Sequence, residues 1–246
     1  MLNSYFNKYQ NIEVEYFNEI DSTNTYLSQK VFEENKYYLA YADKQTAGRG
    51  RRESEWISDG QNIYASLGFK CSKDLVDLPF VSISVAIAIS QVLEKVLDDE
   101  LKSRIKIKLP NDIYYNDSKL AGILIETKSI KRTDFDIIIG FGININMKQI
   151  SQEIDRQWTS LAMITNEYQN LEKILAETVE SIISLFNTSV TNIEKLFRKY
   201  DYTYNKKVIF NDGQNEIVGI ANGICDGRLI LDTGNFMQKI DIASIN

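Results

Sequence analysis

RIKIKLPNDIYYNDSKLAGILIE, residues 104–126, reads as three consecutive strands. RIKIKL alternates apolar with charged residues and stops at Pro110, which has no backbone N–H to give to a ladder. DIYY and KLAGILIE flank Asn116-Asp117, a pair suited to a tight hairpin turn. Charged positions on alternating strands are ordinarily a solvent face. Lys119 differs because it stands directly before the apolar run LAGILIE, and a lysine entering a core strand calls for an anion to offset its desolvation.

Outward from this hairpin the pattern is mixed. Upstream, Val81, Val85, Ala88, Ile89, Val92, Leu93 and Val96 fall at helical spacing and predict a core helix over 81–97. Further upstream, NIYASLGFK, KYYLAYADKQ and VEYFNEI read as strands, and Asp21-Ser22-Thr23-Asn24 supplies N-cap residues for a helix to about residue 34. Downstream, DFDIIIGFGININM is an apolar run of strand length whose glycines at 140 and 142 permit close backbone approach. An amphipathic helix follows over 171–186, with Leu171, Ile174, Leu175, Val179, Ile182 and Phe186 on one face, then a short helix over 193–199. Residues 205–246 change character: short strands separated by NDGQ, CDG and DTGN predict a small β-barrel of SH3-like or OB type. The expected fold is therefore α+β, a central mixed or antiparallel sheet with helices packed on it over 1–200 and a C-terminal SH3-like β unit over 201–246.

Composition narrows the chemistry. The chain has 246 residues, a net charge of -6 and no histidine, so a histidine general base, a Ser/His/Asp triad and histidine metal sites are excluded. Cys71 and Cys225 are the two cysteines, too few for a disulfide framework or a zinc cluster. An enzyme of this composition works with Lys, Arg, Asp, Asn and backbone N–H groups, which suits charge stabilisation and positioning. A sequence pI near 5.0 argues against a broad nucleic-acid-binding surface. No apolar run is long enough to span a bilayer and no signal peptide is seen, so a cytoplasmic location is expected.

Against that acidic background KQTAGRGRRESEWIS, residues 44–58, concentrates arginines. Standing alone it would read equally as solvated surface or a nucleic-acid contact. Gly48 and Gly50 let the backbone fold closely over a ligand, while Arg49, Arg51 and Arg52 offer multidentate donors to phosphate or carboxylate. The loop lacks the G-x-x-x-x-G-K-[ST] spacing of a P-loop.

Taken in order, DSTN, GRGRRESEW, KLPNDIYYNDSKLAGILIE and GFGININ resemble the motifs of biotin protein ligases. The resemblance implies the class II aminoacyl-tRNA synthetase-like catalytic fold of biotin and lipoate ligases. It also implies activation of biotin by ATP, with Mg2+ accompanying the nucleotide, to biotinyl-5′-AMP, and transfer to a lysine of a biotin carboxyl carrier protein. By matching position, Ser22, Thr23 and Asn24 meet the ureido end of biotin, Gln45 lies beside it, and Gly122 lies at the ureido pocket. The same match implies that Gly48, Arg49, Gly50 and Arg51 form the loop closing over biotin and the adenylate. It implies that Lys119 contacts the biotin carboxylate and the phosphate, with Arg51 as the second catalytic cation. Lys108 is expected on the phosphate side and Asp112 near the acceptor amine. Asn111 and Trp56 are expected on the ATP side, and Asn144 and Trp158 to contact or stack on adenine. Metal ligands are left unassigned.

The chain departs from the family pattern at Glu53-Ser54, where Gly-Arg is usual, and at Leu109, where Trp is usual. It begins at the catalytic part, so operator binding through a helix-turn-helix is not expected. A monomer or weak homodimer is expected, with neither nucleic acid nor membrane as partner. The alternatives are a lipoate or octanoate protein ligase of the same superfamily and, from a different class, a nucleic-acid-binding module.

Overall fold

The computed structural model describes residues 3–6, 11–59, 61–71, 78–129, 135–149, 157–186, 188–211, 216–242 and 245. After α1 (Asn3–Phe6), strand β1 (Ile12–Ile20), helix α2 (Thr23–Gln29) and strand β2 (Tyr37–Gln45) form a β-α-β unit whose strands are parallel, Ile12 opposite Tyr37. The remaining strands of the sheet are β3 (Ile63–Cys71), β4 (Ile105–Lys108), β5 (Asp112–Tyr115), β6 (Ser118–Lys128) and β7 (Phe135–Ile143). They pair antiparallel to give a seven-stranded mixed sheet of order β1-β2-β3-β7-β6-β5-β4.

β7 lies in the middle of this sheet and every one of its residues is buried, which is why FDIIIGFGI is apolar throughout instead of alternating. Its odd-numbered residues Ile137, Ile139, Phe141 and Ile143 enter the main core. There they meet α3 (Leu78–Glu94), which packs against α6 (Leu171–Phe186). Its even-numbered residues point to the opposite face, where Ile138 joins Leu27, Phe32, Tyr38 and Ala40 in a smaller cluster under α2. Gly140 and Gly142 share that second face, and register places Ser66 and Leu124 opposite Gly140, and Tyr64 and Gly122 opposite Gly142. Asp112 continues the second row. The glycine-bearing face is thus a set of cross-strand rows.

α4 (Asp99–Lys102), α5 (Leu161–Thr165) and α7 (Val190–Tyr200) complete the helices of the described residues. Strands β8 (Lys207–Asn211), β9 (Glu216–Cys225), β10 (Arg228–Asp232) and β11 (Met237–Asp241) form a four-stranded antiparallel sheet of order β11-β10-β9-β8. Its Ala221, Leu229, Leu231 and Ile240 are buried in the same core as β7. Asp226 (φ 50°) and Gly227 (φ 70°) make the tight turn between β9 and β10 that the CDG sequence predicts.

Several boundaries differ from expectation for local reasons. α2 stops at Gln29 rather than near residue 34, because the Lys128 ammonium arrives from β6 and donates to the carbonyls of Leu27, Ser28 and Lys30. α3 ends at Glu94, after which Lys95, Val96 and Leu97 close tighter three-residue turns. β7 ends at Ile143, where the Asn62 side chain accepts from Ile145 N–H at 2.7 Å and Met147 N–H at 3.3 Å. The short helix runs over Val190–Tyr200. The NDGQ turn beyond Asn211, Asp134 at the start of DFDIIIGFGININM, and the side chains of Glu53 and Phe186 lie outside the described residues.

Lys128 also stands 4.1 Å from the centre of the Phe32 ring. Removing its charge with Lys128→Met should cost about 2–4 kcal/mol of stability, since three helix-end carbonyls lose a charged donor together. Urea unfolding of the two proteins measures this, and a difference below about 0.5 kcal/mol would show that the cap is dispensable.

Candidate active site

A cavity of about 460 Å³ opens on the glycine-bearing face of the sheet. One end is neutral and polar. The DSTN segment builds it: Ser22 caps α2, its Oγ accepting from Thr25 N–H at 3.4 Å, and this turns Thr23 and Asn24 inward, where both are buried. Gln45, at the end of β2, accepts from the Thr23 N–H through Oε1 at 2.9 Å. The Thr23 and Ser66 hydroxyls are 2.6 Å apart, Ser66 donates to Asn24 Oδ1 at 2.5 Å, and Asn24 Nδ2 donates to Glu126 at 2.7 Å. A continuous hydrogen-bonded chain therefore runs from Gln45 to Glu126. Gly140 makes room for it, since a Cβ there would stand 2.2 Å from Asn24 Oδ1.

The arginine segment folds as a hairpin across the mouth. Trp56 N–H donates to Gly48 at 2.9 Å, Arg49 bridges to Glu55, and Gly50 N–H donates to Ser54 at 2.6 Å. The tip is a single turn, Arg51–Glu53, with Arg52 left-handed at φ 53°. Gly48 does not line the cavity. It lets the two arms cross, because a Cβ would lie 2.4 Å from the Trp56 carbonyl oxygen. Arg49 lines the cavity with its guanidinium held in a two-point pair with Glu126, both bonds 2.9 Å. Arg51 is half-buried, and its pKa is lowered by that burial and by neighbouring Arg52, with Asp112 acting in the opposite direction.

The other end is ionic. Lys119 Nζ and Asp112 Oδ1 are 2.7 Å apart, on side chains exposed by only 11% and 19%. Between the two ends, Gly122 and Gly142 form a hollow that receives the Trp56 indole: a Cβ on Gly142 would be 2.3 Å from Trp56 Cε2, and one on Gly122 2.6 Å from Cζ3. Lys119 Nζ is 5.1 Å from the centre of that ring. Trp56 Nε1 is buried without a hydrogen-bond acceptor.

Asn111, Asn144 and Trp158 hold this end in shape. Asn111 Nδ2 donates to the Ile123 carbonyl at 2.8 Å, and Asn144 Nδ2 donates to the Thr159 carbonyl at 3.0 Å. Trp158 lies in a short parallel bridge with Lys119, fastened by Lys119 N–H to Gln157 and Thr159 N–H to Lys119. Lys108 lines the cavity with its ammonium 5.3 Å from the Tyr114 ring. Arg49, Arg51, Arg52, Lys108 and Lys119 outnumber the lining carboxylates Glu55 and Asp112, so an acidic chain carries a locally cationic cavity.

The structure thus brings together Ser22, Thr23, Asn24, Gln45, Arg49, Gly50, Arg51, Trp56, Lys108, Asn111, Asp112, Lys119, Gly122, Asn144 and Trp158 around one cavity. Sequence reasoning missed Ser66, Glu126, Tyr114 and Ile245. Ser66 had a signal, a lone serine in the apolar strand IYASLGF; Ile245 reaches the cavity with none.

The sequence profile of the Biotin/lipoate A/B protein ligase family matches residues 16–144. The bifunctional ligase/repressor BirA of Escherichia coli K12 is 32% identical over 225 residues, covering 89% of this chain and 69% of that protein. The biotin–[acetyl-CoA-carboxylase] ligase of Mycobacterium tuberculosis is 27% identical over 204 residues, covering 78% of this chain and 72% of that one. In fold, the chain is similar to the Aquifex aeolicus biotin protein ligase solved with biotin and ATP, with a TM-score of 0.79 at 22% identity over 95% of this chain and 97% of that one.

Proposed function

Because this chain belongs to the biotin/lipoate A/B protein ligase family, we infer that it is a biotin protein ligase, which joins biotin to AMP and passes the biotinyl group to a carrier lysine. The observation that carries this reading is the cavity's polarity: a neutral hydrogen-bonding end built on Thr23, Asn24, Gln45 and Ser66, and a cationic end built on Lys119 and Arg51. A molecule with a neutral polar ring, an apolar arm and a terminal carboxylate matches that sequence of environments.

In the first step a biotin carboxylate oxygen attacks the α-phosphorus of ATP, and pyrophosphate leaves. Two anions must meet, and a unit charge at about 4 Å with an effective dielectric near 20 contributes about 4 kcal/mol. Lys119 and Arg51 are placed to supply it. Asp112 holds the Lys119 ammonium in place, and the hairpin over the mouth limits water, which would hydrolyse the mixed anhydride. In the second step the acceptor ammonium gives one proton to Asp112, the free amine attacks the acyl carbon, AMP leaves, and the second nitrogen proton passes to the departing phosphate. Magnesium accompanying ATP would find Asp112 and Glu55 among the described lining residues, compatible with an ion that takes one or two protein carboxylates and keeps several waters.

The acceptor we propose is the biotin carrier domain of a carboxylase, in line with the name of the mycobacterial relative. A cytoplasmic monomer or weak homodimer belongs to the same reading, as does a catalytic unit over 1–200 followed by a C-terminal unit over 201–246. The end of α7 at Tyr200 and the start of β8 at Lys207 support that division. Among the described residues no helix is long and apolar enough to cross a membrane. With ATP and Mg2+ present, biotin should release pyrophosphate and lipoate should not; release with lipoate alone would overturn the assignment.

A further inference from the structure

We propose that Glu126 is a positioning residue for this site, fixing the direction of the protons in the Asn24–Ser66–Thr23 chain and tethering Arg49 over the cavity. The proposal rests on the biotin ligase reading.

The Glu126 carboxylate can only accept. Asn24 must therefore present its NH2 to Glu126, at 2.7 Å, and its carbonyl to Ser66. That carbonyl takes the Ser66 proton at 2.5 Å. The Thr23 hydroxyl has two acceptors in reach, Gln45 Oε1 at 3.1 Å and Ser66 Oγ at 2.6 Å; with the Ser66 proton committed, the shorter contact is a hydrogen bond only with Thr23 as its donor. Gln45 is oriented separately, because its Oε1 takes the Thr23 N–H and its NH2 must face elsewhere. Every hydroxyl proton in the chain thus points toward Glu126. What Thr23 retains for a ligand is lone pairs, beside an amide donor on Gln45. An acceptor next to a donor suits a ring carrying N–H and C=O groups side by side; an alkyl or dithiolane tail offers neither N–H nor C=O.

Asn24 and Arg49 reach the same carboxylate from α2 and from the hairpin, 102 and 77 residues away in sequence. Glu126 sits opposite Ile138 on the central strand, on the cavity face and beyond the hollow that Trp56 fills. One carboxylate therefore couples the ligand's polar end to the segment that covers it. Its own geometry keeps it from the reacting phosphate end, where Lys119 and Asp112 stand.

Calorimetric titration of biotin and of ATP into the unmodified chain, Glu126→Gln and Ser66→Ala tests this. Glu126→Gln should weaken biotin binding roughly tenfold to a hundredfold, with ATP affinity altered less than about threefold and the unfolding midpoint unchanged. Ser66→Ala cuts the proton chain while leaving the Arg49 pair, and should likewise weaken biotin selectively. Unchanged biotin affinity in Glu126→Gln overturns the proposal. Equal losses of both ligands with a lowered midpoint overturn it too, as the mark of a purely structural residue. Failure of the unmodified chain to bind biotin removes the ligase reading and this inference with it.

Discussion

Replacing Lys119 by alanine is expected to slow pyrophosphate release from biotin and ATP at least about a thousandfold. The magnitude follows from the charge argument, since about 4 kcal/mol of lost attraction for the two reacting anions corresponds to roughly three powers of ten in rate. Arg51 cannot replace it, because it belongs to the hairpin tip, whereas Lys119 is fixed on a sheet strand by backbone bonds to Gln157 and Thr159. Asp112 would be left part-buried without its 2.7 Å partner, so a stability loss of about 1–3 kcal/mol should accompany the variant. Single-turnover measurements under conditions where both proteins are folded separate the two effects. A rate within tenfold of the unmodified chain would remove Lys119 from the chemistry.

The second large effect is expected at Gly142. A methyl group there would stand 2.3 Å from Trp56 Cε2 and 2.4 Å from Cζ2, well inside contact distance. The backbone cannot retreat, because β7 is buried along its whole length between β3 and β6. The indole must leave, and the hollow it vacates is narrower for any ligand that shares it. Overpacking of this kind costs about 1–3 kcal/mol, so Gly142→Ala should reduce biotin affinity by roughly fivefold to 150-fold while preserving the sheet. Equilibrium dialysis with labelled biotin reads it directly. Retention of full affinity would mean that biotin never approaches this floor.

Much of this architecture was readable from residues alone because it depends on local pattern. FDIIIGFGI announces a central strand, and its two glycines announce close approach on one face. Asn116, at φ 52°, turns the hairpin between β5 and β6 at the Asn-Asp pair. The DSTN cap, the arginine segment and Lys119 were legible as candidate site residues through their order along the chain, and Ser22, Thr23, Asn24, Arg49, Arg51 and Lys119 line one cavity. What stayed hidden depends on which distant strands become neighbours. β7 inserts between β3 and β6, and only that ordering puts Ser66 against Asn24 and Glu126 against Arg49. The end of α2 was misplaced for the same reason, since its cap is a lysine from β6. Arg49 shows the limit most sharply: its residue type predicted an anion partner, and the anion it finds here is the protein's own carboxylate.

The chain contains two tryptophans, and both Trp56 and Trp158 line the same cavity. One rests on the glycine floor beside an ammonium, the other on the strand segment bridged to Lys119. The intrinsic indole emission of the whole protein is therefore emission from its site. Ligand arrival and departure can be followed by stopped-flow fluorescence on the unlabelled chain, with no engineered probe to disturb what it reports.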